Sequence, residues 1–537
     1  MEVYADKIFV NGPIITSNSN NDVVEAVAVR ENKIIYVGNE ERIEEFKGKD
    51  TEIIDLKGRS MIPGFIDSHL HFALYGMKQG PIIDVTSDKA GSIEKIKSLI
   101  KEAVKSKKSG EWITLSGYDH NKLTEKRHPT KEDFDEVAPN NPVRCTRACA
   151  HMGVYNSLAL EIGKIKPEDY APGEVIVENR ELTGLLKEDA HMYMGTKVSF
   201  SEEEILEGLK ASDKLMTKYG ITTVHDAGSE GNIMKTMEKA SREGLINVRV
   251  HPMIFDLSGK KRGKRLIESY IEAGITSGFG NEKFSIGPAK IMLDGSSSGP
   301  SVATKEPYSH DPDLKGILVW QQDEVDEFID RVHRAGFQVT AHAQGDLAIE
   351  IIVNAVEKAL ERNPRKDHRH RIEHCGLPNL QLIDRIKKLG IVITPNPGFI
   401  ELNGTDYIKY YGDRIKYMYP LKTYIEKGIT AAIGSDAPVI NHNPMLGIYG
   451  ALTRKDGKTG EVVGENQKID ILEAIKMYTY NGAYSSFEED IKGSIETGKL
   501  ADLAILSENI LETEEESIKE VVVDMTLIDG KVVYLNN

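Results

Sequence analysis

The stretch 64–72 reads GFIDSHLHF, an apolar run that ends in Asp67, His69 and His71. A short apolar run bounded by a glycine favours a buried β-strand. His69 and His71 are two residues apart, so on an extended strand both side chains project to the same side. Imidazoles are common ligands of zinc and related ions. The stretch therefore predicts a buried strand whose carboxyl end binds a metal ion.

Further along the chain, strand-like apolar runs alternate with amphipathic helical stretches, the pattern of βαβ units around a parallel sheet. Eight runs can be counted: MIPGFIDSH (61–69), GITTVHDAG (220–228), INVRVHPMIF (246–255), FSIGPAKIML (284–293), GFQVTAHAQ (336–344), HRHRIEHC (368–375), GIVITPNP (390–397) and GITAAIGSDAP (428–438). Eight is the number that a closed barrel requires. Residues from about 77 to 200 interrupt the alternation, so we expect an insertion there that folds over the barrel mouth.

Both ends of the chain carry short β-rich runs with turn signals, such as KIFVNGPIIT near the start and VVVDMTLIDG near the end. Neither end has enough strands for a sheet that buries both of its faces. We therefore predict a composite β-sandwich from residues 1–61 with 493–537, and a metal-dependent barrel over 62–492. The predicted fold class is α/β, a (β/α)8 TIM-type barrel with a small composite β-sandwich built from both termini.

The composition excludes several classes of protein. Hydrophobic residues make up 40% and charged residues 28% of the 537-residue chain, as in a globular protein with a large core. A formal net charge of −16 argues against nucleic acid as a partner, because the phosphates would be repelled. The start MEVYADKIFVNG does not resemble a secretory signal, and no apolar run of about 18 residues predicts a membrane span. Three cysteines predict no disulfide framework, and a cytoplasmic setting is expected.

Ionisable residues recur where these runs end. Besides the first run they are His225 with Asp226 in the second, Lys290 in the fourth, His342 in the fifth, His374 in the sixth and Asp436 in the eighth. Side chains at the carboxyl ends of barrel strands converge on one mouth, where active sites lie. A single histidine near a strand end is more often a hydrogen-bonded structural residue than a ligand. Because so many occur together, we predict a metal site formed by His69, His71, His342, His374 and Asp436.

Several motifs resemble those of a known family. GFIDSHLHF, AHAQGD (341–346), RIEHC (371–375) and IGSDAP (433–438) are similar, in kind and in order, to the metal-binding motifs of the amidohydrolase superfamily. GSIETGKLADLAIL (493–506) and VVVDMTLIDGKVVY (521–534) resemble its return to the sandwich. Finer features resemble the amidohydrolase-3, or YtcJ-like, branch: RACAHMGVYNSLAL (147–160), TGLLKEDA (183–190) and AKIMLDGSSSGPSVATKEPY (289–308). The resemblance covers essentially the whole chain.

This resemblance implies a hydrolase that cleaves a C–N bond of an N-acyl, N-formyl or cyclic amide by attack of metal-bound hydroxide. It implies zinc or a similar divalent ion, one or two per chain. His69, His71 and Asp436 would hold one ion, and His342 and His374 a second. Asp436 would also act as general base and then as general acid.

Lys290 is expected, by the same resemblance, to be catalytic and a ligand, as a carbamate that bridges two ions. Carbamate formation needs a neutral amine, which burial beside cations favours because it lowers the lysine pKa. The alternative is a plain lysine that pairs with Asp294. Glu188 in TGLLKEDA is the rival bridging carboxylate, since it belongs to the insertion. If neither residue bridges, the site is mononuclear.

Other residues are hypotheses for substrate binding: His151, Glu188, His225 and Tyr118. His151 is equally compatible with an ordinary loop histidine. His225 with Asp226 is also compatible with support of the metal ligands. Arg371 and Glu373, which flank His374, receive no role from the pattern.

Two rival functions remain open. A mononuclear deaminase of an N-heterocycle would leave Lys290 unmodified and require an acid near the fifth run, where no HxxE motif accompanies His342. A non-catalytic ligand-binding member of the family would be marked by the loss of a metal ligand, and none is lost. We expect a small-molecule substrate and a homodimer, with neither nucleic acid nor membrane as a partner.

Overall fold

The computed structural model describes residues 4–148, 152–170, 172–229, 231–255 and 266–536. Contacts within the chain divide it into two compact units. The first unit comprises Met1–Phe72 with Asp213–Asn537, and the second comprises Ala73–Ser212. His151, one of the hypothetical substrate-binding residues, lies outside the described residues.

The bounds of the regular elements are as follows. The strands of the described residues up to position 200 are β1 (Lys7–Val10), β2 (Ile14–Ile15), β3 (Val23–Val24), β4 (Ala26–Arg30), β5 (Lys33–Gly38), β6 (Glu52–Asp55), β7 (Met61–Pro63), β8 (Phe65–Leu70), β9 (Ile83–Asp84), β10 (Ile113–Tyr118), β11 (Val143–Arg147), β12 (Met152–Tyr155), β13 (Val175–Glu178) and β14 (Glu181–Lys187). The strands that follow are β15 (Ile221–Asp226), β16 (Arg249–Val250), β17 (Ile254–Phe255), β18 (Ala289–Met292), β19 (Val339–Ala343), β20 (Arg371–His374), β21 (Val392–Thr394), β22 (Leu503–Leu506), β23 (Val523–Ile528) and β24 (Lys531–Leu535).

The α-helices of the described residues are α1 (Phe72–Gln79), α2 (Ile93–Val104), α3 (Lys131–Asp135), α4 (Ser157–Gly163), α5 (Glu188–Gly195), α6 (Glu202–Lys218), α7 (Gly231–Arg242), α8 (Leu266–Glu272), α9 (Gln322–Arg334), α10 (Asp346–Arg362), α11 (Leu380–Leu389), α12 (Gly398–Tyr411), α13 (Leu421–Glu426), α14 (Pro444–Thr453), α15 (Ile471–Met477) and α16 (Tyr480–Ser485). Short 3₁₀ helices span Glu40–Phe46, Pro167–Asp169, Gly412–Tyr417, Glu465–Gln467 and Glu515–Glu520. Within the described ranges, no helix combines the length and apolarity needed to cross a membrane.

Local sequence explains where the central helices begin and end. In α11, the side chain of Asn379 accepts a hydrogen bond from the backbone N–H of Leu382, which caps the helix. Gly390 then ends the helix in a left-handed conformation, with φ of +70°. Helix α9 buries one face, formed by Val325, Phe328, Ile329 and Val332. That spacing places these residues on a single stripe facing the core.

Strands from the two ends of the chain share one sheet. Its order is β24-β23-β22-β7-β2-β3, and β22 pairs antiparallel with β7 through Ala504 and Ile62. A second sheet, β5-β4-β1-β6, contributes to the same hydrophobic cluster, in which Phe9 and Val27 pack with Leu503. The first and last segments of the chain therefore fold together.

The central strands run parallel. β16-β15-β8 form one sheet and β17-β18-β19-β20-β21 another, and an isolated parallel bridge joins Val250 to Phe284. The run 428–438 is not a regular strand, yet it is bridged to β21 through Ile393 and Ala431. Its backbone also bonds β8, since Ser68 N–H donates to the carbonyl of Ile433 at 3.1 Å. The fold is thus a mixed α/β arrangement in which the eighth predicted run lies between the seventh and the first.

The first predicted run, MIPGFIDSH, is divided at Gly64. β7 joins the sheet made by the termini, whereas β8 joins the parallel strands. A Cβ atom at Gly64 would lie 2.2 Å from Cγ2 of Thr222, so only glycine permits this close approach. Hydrophobicity does not reveal this close contact at the point where the run divides.

The second unit has its own sheet and core. The strand order is β13-β14-β12-β11-β10-β9. Helix α2 is capped by Ser92 and contributes Ile96 and Ile100 to a cluster that also contains Leu115 and the buried Cys145. A unit with its own sheet and apolar cluster buries its own hydrophobic surface.

Candidate metal centre

Three side chains meet at the carboxyl end of β8. His69 lies in β8 and His71 follows it, while Asp436 belongs to the run whose backbone is hydrogen-bonded to β8. The Nε2 atoms of His69 and His71 lie 3.4 and 3.5 Å, respectively, from Oδ1 of Asp436. Together these residues offer three ligand atoms that all lie within 4.8 Å of one another.

The spacing of this cluster fits a zinc-like ion. Zinc binds imidazole nitrogen at about 2.0–2.1 Å and carboxylate oxygen at about 2.0–2.2 Å, in tetrahedral geometry. Two such ligands are about 3.4 Å apart, as are the measured pairs. His69 is 1% exposed and the His71 side chain 26% exposed, so the cluster is shielded on one side and accessible on another. The donor set and the spacing are therefore both those of a metal site.

Lys290, in β18, reaches the same cluster. Its Nζ lies 3.5 Å from Nε2 of His69, and the residue is only 3% exposed. Burial lowers the pKa of Lys290, although the negative charges of Glu373 and Asp436 act in the opposite direction. A lowered pKa favours the neutral form of this buried amine.

His342 and His374 lie side by side near His69. Their ring centroids are 4.5 Å apart, and the ring of His374 is 4.7 Å from that of His69. Nδ1 of His374 is 2.6 Å from Oδ1 of Asn396, and Nε2 of His342 is 3.0 Å from the carbonyl oxygen of Gly295. A neutral imidazole that donates from one nitrogen presents a lone pair on the other. Burial lowers the pKa of His342 to about 4, which keeps this ring neutral.

The backbone at two of these residues is unusual. His374 has φ of +71° and Asp436 has φ of +63°, both in the left-handed region that non-glycine residues rarely occupy. Such conformations cost about 1–3 kcal/mol and cluster at functional sites. Nearby, a Cβ atom at Gly434 would lie 2.6 Å from Cβ of His69, so a glycine is needed for Asp436 to approach β8.

Asp436 is ionised in this environment. Burial alone would raise its pKa, but the neighbouring imidazoles of His69 and His71 hold the pKa well below its usual value. An ionised carboxylate can bind a cation and can also accept a proton from water.

The structure adds two residues that the sequence pattern left without a role. Glu373 is fully buried, and its carboxylate is hydrogen-bonded to Nδ1 of His69. Arg371 donates from Nε to the same carboxylate at 2.9 Å. Strand alternation places Arg371 and Glu373 on one side, opposite His374, but the left-handed backbone at His374 breaks that alternation. The sequence shows two ionisable residues at i and i+2 beside His374 but does not show which groups they contact.

His225 contacts Arg371, which in turn contacts Glu373 beside the metal-type cluster. It is fully buried, and its Nδ1 accepts a hydrogen bond from Nη1 of Arg371 at 3.1 Å. Its ring packs against that of His251, with centroids 4.9 Å apart. Asp226 accepts a hydrogen bond from Oγ of Ser229 at 2.5 Å. These contacts favour a supporting position for His225 over contact with a substrate.

Asp294, the alternative partner of Lys290, is engaged elsewhere. It is fully buried and accepts hydrogen bonds from three backbone N–H groups, those of Ala303, Gln344 and Gly345. Burial raises the pKa of Asp294 to about 7. Its Oδ1 lies 3.5 Å from Nε2 of His342, so Asp294 is a neighbour of His342. No ion pair between Asp294 and Lys290 is found among the described residues.

The candidates in the second unit have contacts within that unit. Tyr118 is buried, and its hydroxyl lies 2.9 Å from Nδ1 of His128. The ring of His128 stacks on that of His120 at a centroid distance of 3.9 Å. Glu188 begins α5 in a left-handed conformation, with φ of +40°, and its side chain is exposed.

The fold and the metal-type cluster define a metal-dependent hydrolase, and comparison with known proteins identifies the family. A family model described as "Amidohydrolase family" matches residues 52–534, so the chain belongs to this family, as the motifs predicted. YtcJ of Bacillus subtilis (strain 168), which is named an amidohydrolase, is 32% identical over 98% of this chain and 99% of its own.

Two further relatives extend the comparison. An N-substituted formamide deformylase of Arthrobacter pascens is 25% identical over 98% of both chains. The crystal structure of an uncharacterised metal-dependent hydrolase from Pyrococcus horikoshii OT3 is similar, with a TM-score of 0.78 and 25% identity, over 95% of this chain and 99% of that chain.

Proposed function

We propose that this amidohydrolase cleaves a C–N bond other than a peptide bond, in an N-acyl, N-formyl or cyclic amide. The 3.4 and 3.5 Å spacing of His69 and His71 from Asp436 supports metal-dependent hydrolysis at this site. An amide substrate is favoured because the formamide deformylase is similar along the full length of both chains.

The proposed architecture is a closed (β/α)8 barrel over 62–492, with a composite β-sandwich from 1–61 and 493–537 and an insertion at about 77–200. The hydrogen bonds of run 428–438 to β8, and its bridge to β21, support closure. The pairing of β22 with β7 supports the sandwich. The small-molecule substrate, the homodimer and the cytoplasmic setting stay predictions.

We assign one zinc or similar ion to His69, His71 and Asp436, and a second to His342 and His374. Lys290 that has added CO₂ and lost a proton, as a carbamate, would hold both ions, which its 3.5 Å distance from His69 supports. An unmodified ammonium at this position would repel both cations, so a two-metal site requires the carbamate or a different bridge.

The chemistry follows from the positions of the protein groups. A divalent ion held here supplies Lewis-acid activation of water and of the scissile carbonyl. Asp436, ionised and 8% exposed, takes a proton from the attacking water and returns it to the leaving nitrogen. Lys290 and the histidines would hold the ion or ions, and the positions of the ions relative to Asp436 would align the reacting groups.

The test is a screen of N-formyl amines, N-acetyl amines, cyclic amides and N-heterocyclic amines, with release of the amine or ammonia as the readout. Wild-type protein should hydrolyse one of the amide classes, and Asp436→Asn should not. Turnover of N-heterocyclic amines alone would replace the proposal by the deaminase function. Equal turnover by the Asp436→Asn protein would show that the activity does not come from this site.

A further inference from the structure

Glu373 is a buried carboxylate beside the candidate metal centre, and several groups hold it in place. It lies in β20, is 0% exposed and is hydrogen-bonded to Nδ1 of His69. Its other oxygen accepts hydrogen bonds from Oγ1 of Thr340 at 2.6 Å and from Nε of Arg371 at 2.9 Å. A second bond from Nη2 of Arg371, at 3.0 Å, makes the ion pair bidentate. The carboxylate is therefore held from several directions.

Arg371 fixes this carboxylate to the neighbouring strands. It is fully buried, and its Nη2 also donates to the carbonyl of Ser68 at 2.7 Å and to Oγ1 of Thr394 at 3.1 Å. Its Nη1 lies 3.1 Å from Nδ1 of His225. The guanidinium thus contacts β8, β15 and β21 as well as its own strand, and it cannot shift without breaking these contacts.

The consequence for His69 concerns which nitrogen faces the metal cluster. Because Nδ1 is hydrogen-bonded to Glu373, the proton of a neutral ring resides on Nδ1 and the lone pair on Nε2. That Nε2 lies 3.4 Å from Oδ1 of Asp436 and 3.5 Å from Nζ of Lys290. The contact with Glu373 therefore sets both the orientation and the tautomer that metal binding needs.

We propose that Glu373, anchored by Arg371, is a positioning residue that orients His69 and sets the affinity of the protein for its metal ion. The inference rests on the proposed function, because it takes the cluster to be a metal site. A carboxylate that accepts the second N–H of a ligating imidazole also raises the basicity of that ligand. His374 has a neutral partner instead, the amide oxygen of Asn396 at 2.6 Å. The hydrogen bond from His69 to a carboxylate should therefore raise the basicity of its ring more than the bond from His374 to an amide does.

The test is the affinity of the metal-stripped full-length protein for zinc, measured by competition with a chromophoric chelator. Glu373→Gln keeps the size of the side chain but removes its charge. Loss of such a partner weakens metal binding by about 10- to 100-fold, and we expect a loss in this range. Thr340→Val removes a neutral hydrogen bond to the same carboxylate and should weaken binding by about 2- to 10-fold.

The matched control is Asp502→Asn. Asp502 is 6% exposed and forms a bidentate ion pair with Arg249, at 2.7 and 3.0 Å, so it is comparable to Glu373 in burial and partner. It is not one of the residues assigned to the metal centre. The Asp502→Asn protein should therefore lose stability but bind zinc within about threefold of wild type.

The outcomes distinguish a failure of the positioning role of Glu373 from a failure of the proposed function. Zinc binding by wild type that is weakened in Glu373→Gln and in Thr340→Val, but not in Asp502→Asn, supports the inference. Equal weakening in Glu373→Gln and Asp502→Asn, or wild-type affinity in Glu373→Gln, overturns it while the proposed function stands. If the Glu373→Gln protein does not fold, a zinc affinity of the Thr340→Val protein equal to that of wild type overturns the inference. Failure of the wild-type protein to bind zinc or another divalent ion overturns the proposed function itself.

Discussion

Two buried ionic clusters in the first unit differ in how closely their charged groups approach each other. At the start of β16, Arg249 donates to Asp502 at 2.7 and 3.0 Å and to Asp529 at 2.6 Å. At the end of β8, Asp436 lies 3.4 and 3.5 Å from the nitrogens of two histidines. The first cluster has closed to hydrogen-bond length, whereas the second keeps the spacing of ligands around an ion.

This difference indicates two separate purposes for buried charge. A pair that is fully hydrogen-bonded holds segments together, and in this case it joins β16 to the C-terminal segment. A buried cluster whose polar atoms stay apart lacks this hydrogen-bond stabilisation unless a bound ligand interacts with those atoms. The comparison therefore separates stabilising residues from functional residues within one fold.

The largest expected effect is on catalysis. Asp436→Asn should lower kcat by at least about 10²- to 10⁴-fold, because the proton acceptor and a ligand are lost together. The folded protein should keep its far-UV circular dichroism. The Asp502→Asn control should retain kcat within about threefold. A kcat within about tenfold of wild type in Asp436→Asn, on a substrate found in the screen, would contradict its role.

The next effect is on stability. Arg249→Leu leaves the carboxylates of Asp502 and Asp529 buried without their cation, which costs about 3–5 kcal/mol. The change should appear as a lower urea midpoint, followed by circular dichroism. The metal content of the variant that remains folded should be unchanged. Loss of metal from the folded variant would show that the two clusters are not independent.

A smaller effect is expected at Lys290. Lys290→Ala should weaken metal binding by about 10- to 100-fold, since the proposed bridge is lost, and short carboxylic acids should partly restore metal and activity. Lys492→Ala is a matched control, because Lys492 is 2% exposed and paired with Glu488 at 2.8 Å. Carboxylic acids should have no effect on that protein. Full activity in Lys290→Ala would exclude the carbamate.

The smallest effect concerns pH. Burial lowers the pKa of His333, His368 and His370, and Nδ1 of His333 is 2.9 Å from Nε2 of His370. The folded state keeps these rings neutral, while the unfolded chain takes up protons below about pH 6.5. Stability is therefore full above that pH and falls as the pH drops towards the folded pKa values.

Thermal melts of metal-stripped protein at pH 7.5 and 5.5 measure this effect. The melting temperature should be lower at pH 5.5, and His370→Asn should show a smaller difference between the two pH values. An unchanged difference in that variant would show that other groups dominate the pH dependence.

Sequence motifs predicted the family, and the apolar runs located most of the parallel strands. The end of the first run and the form of the eighth were not predictable, because they depend on tertiary contacts. Gly64 packs against Thr222, and run 428–438 is held by isolated bonds rather than by a regular strand. Hydrophobic periodicity does not report such contacts.

The metal-type residues were predictable because histidines at strand ends form a recognisable pattern. The role of Glu373 was not predictable, because it depends on a contact with His69 on another strand. The left-handed backbone at the neighbouring His374 is likewise not visible in the sequence. The sequence showed an acid beside a histidine but not which ring it would contact. Metal-binding residues form recognisable sequence motifs, whereas the residues that orient them are identified only from contacts in the structure.

The most direct test of the metal centre is the metal content of the purified protein, measured with the activity of metal-stripped and reconstituted samples. We expect about one to two equivalents of zinc or a similar divalent ion per chain, and activity that is lost on stripping and regained on addition of the ion. Replacement of His69 and His71 by Asn should abolish both. A protein that contains no metal, and whose activity does not respond to added ions, would show that His69, His71 and Asp436 do not form a catalytic metal centre.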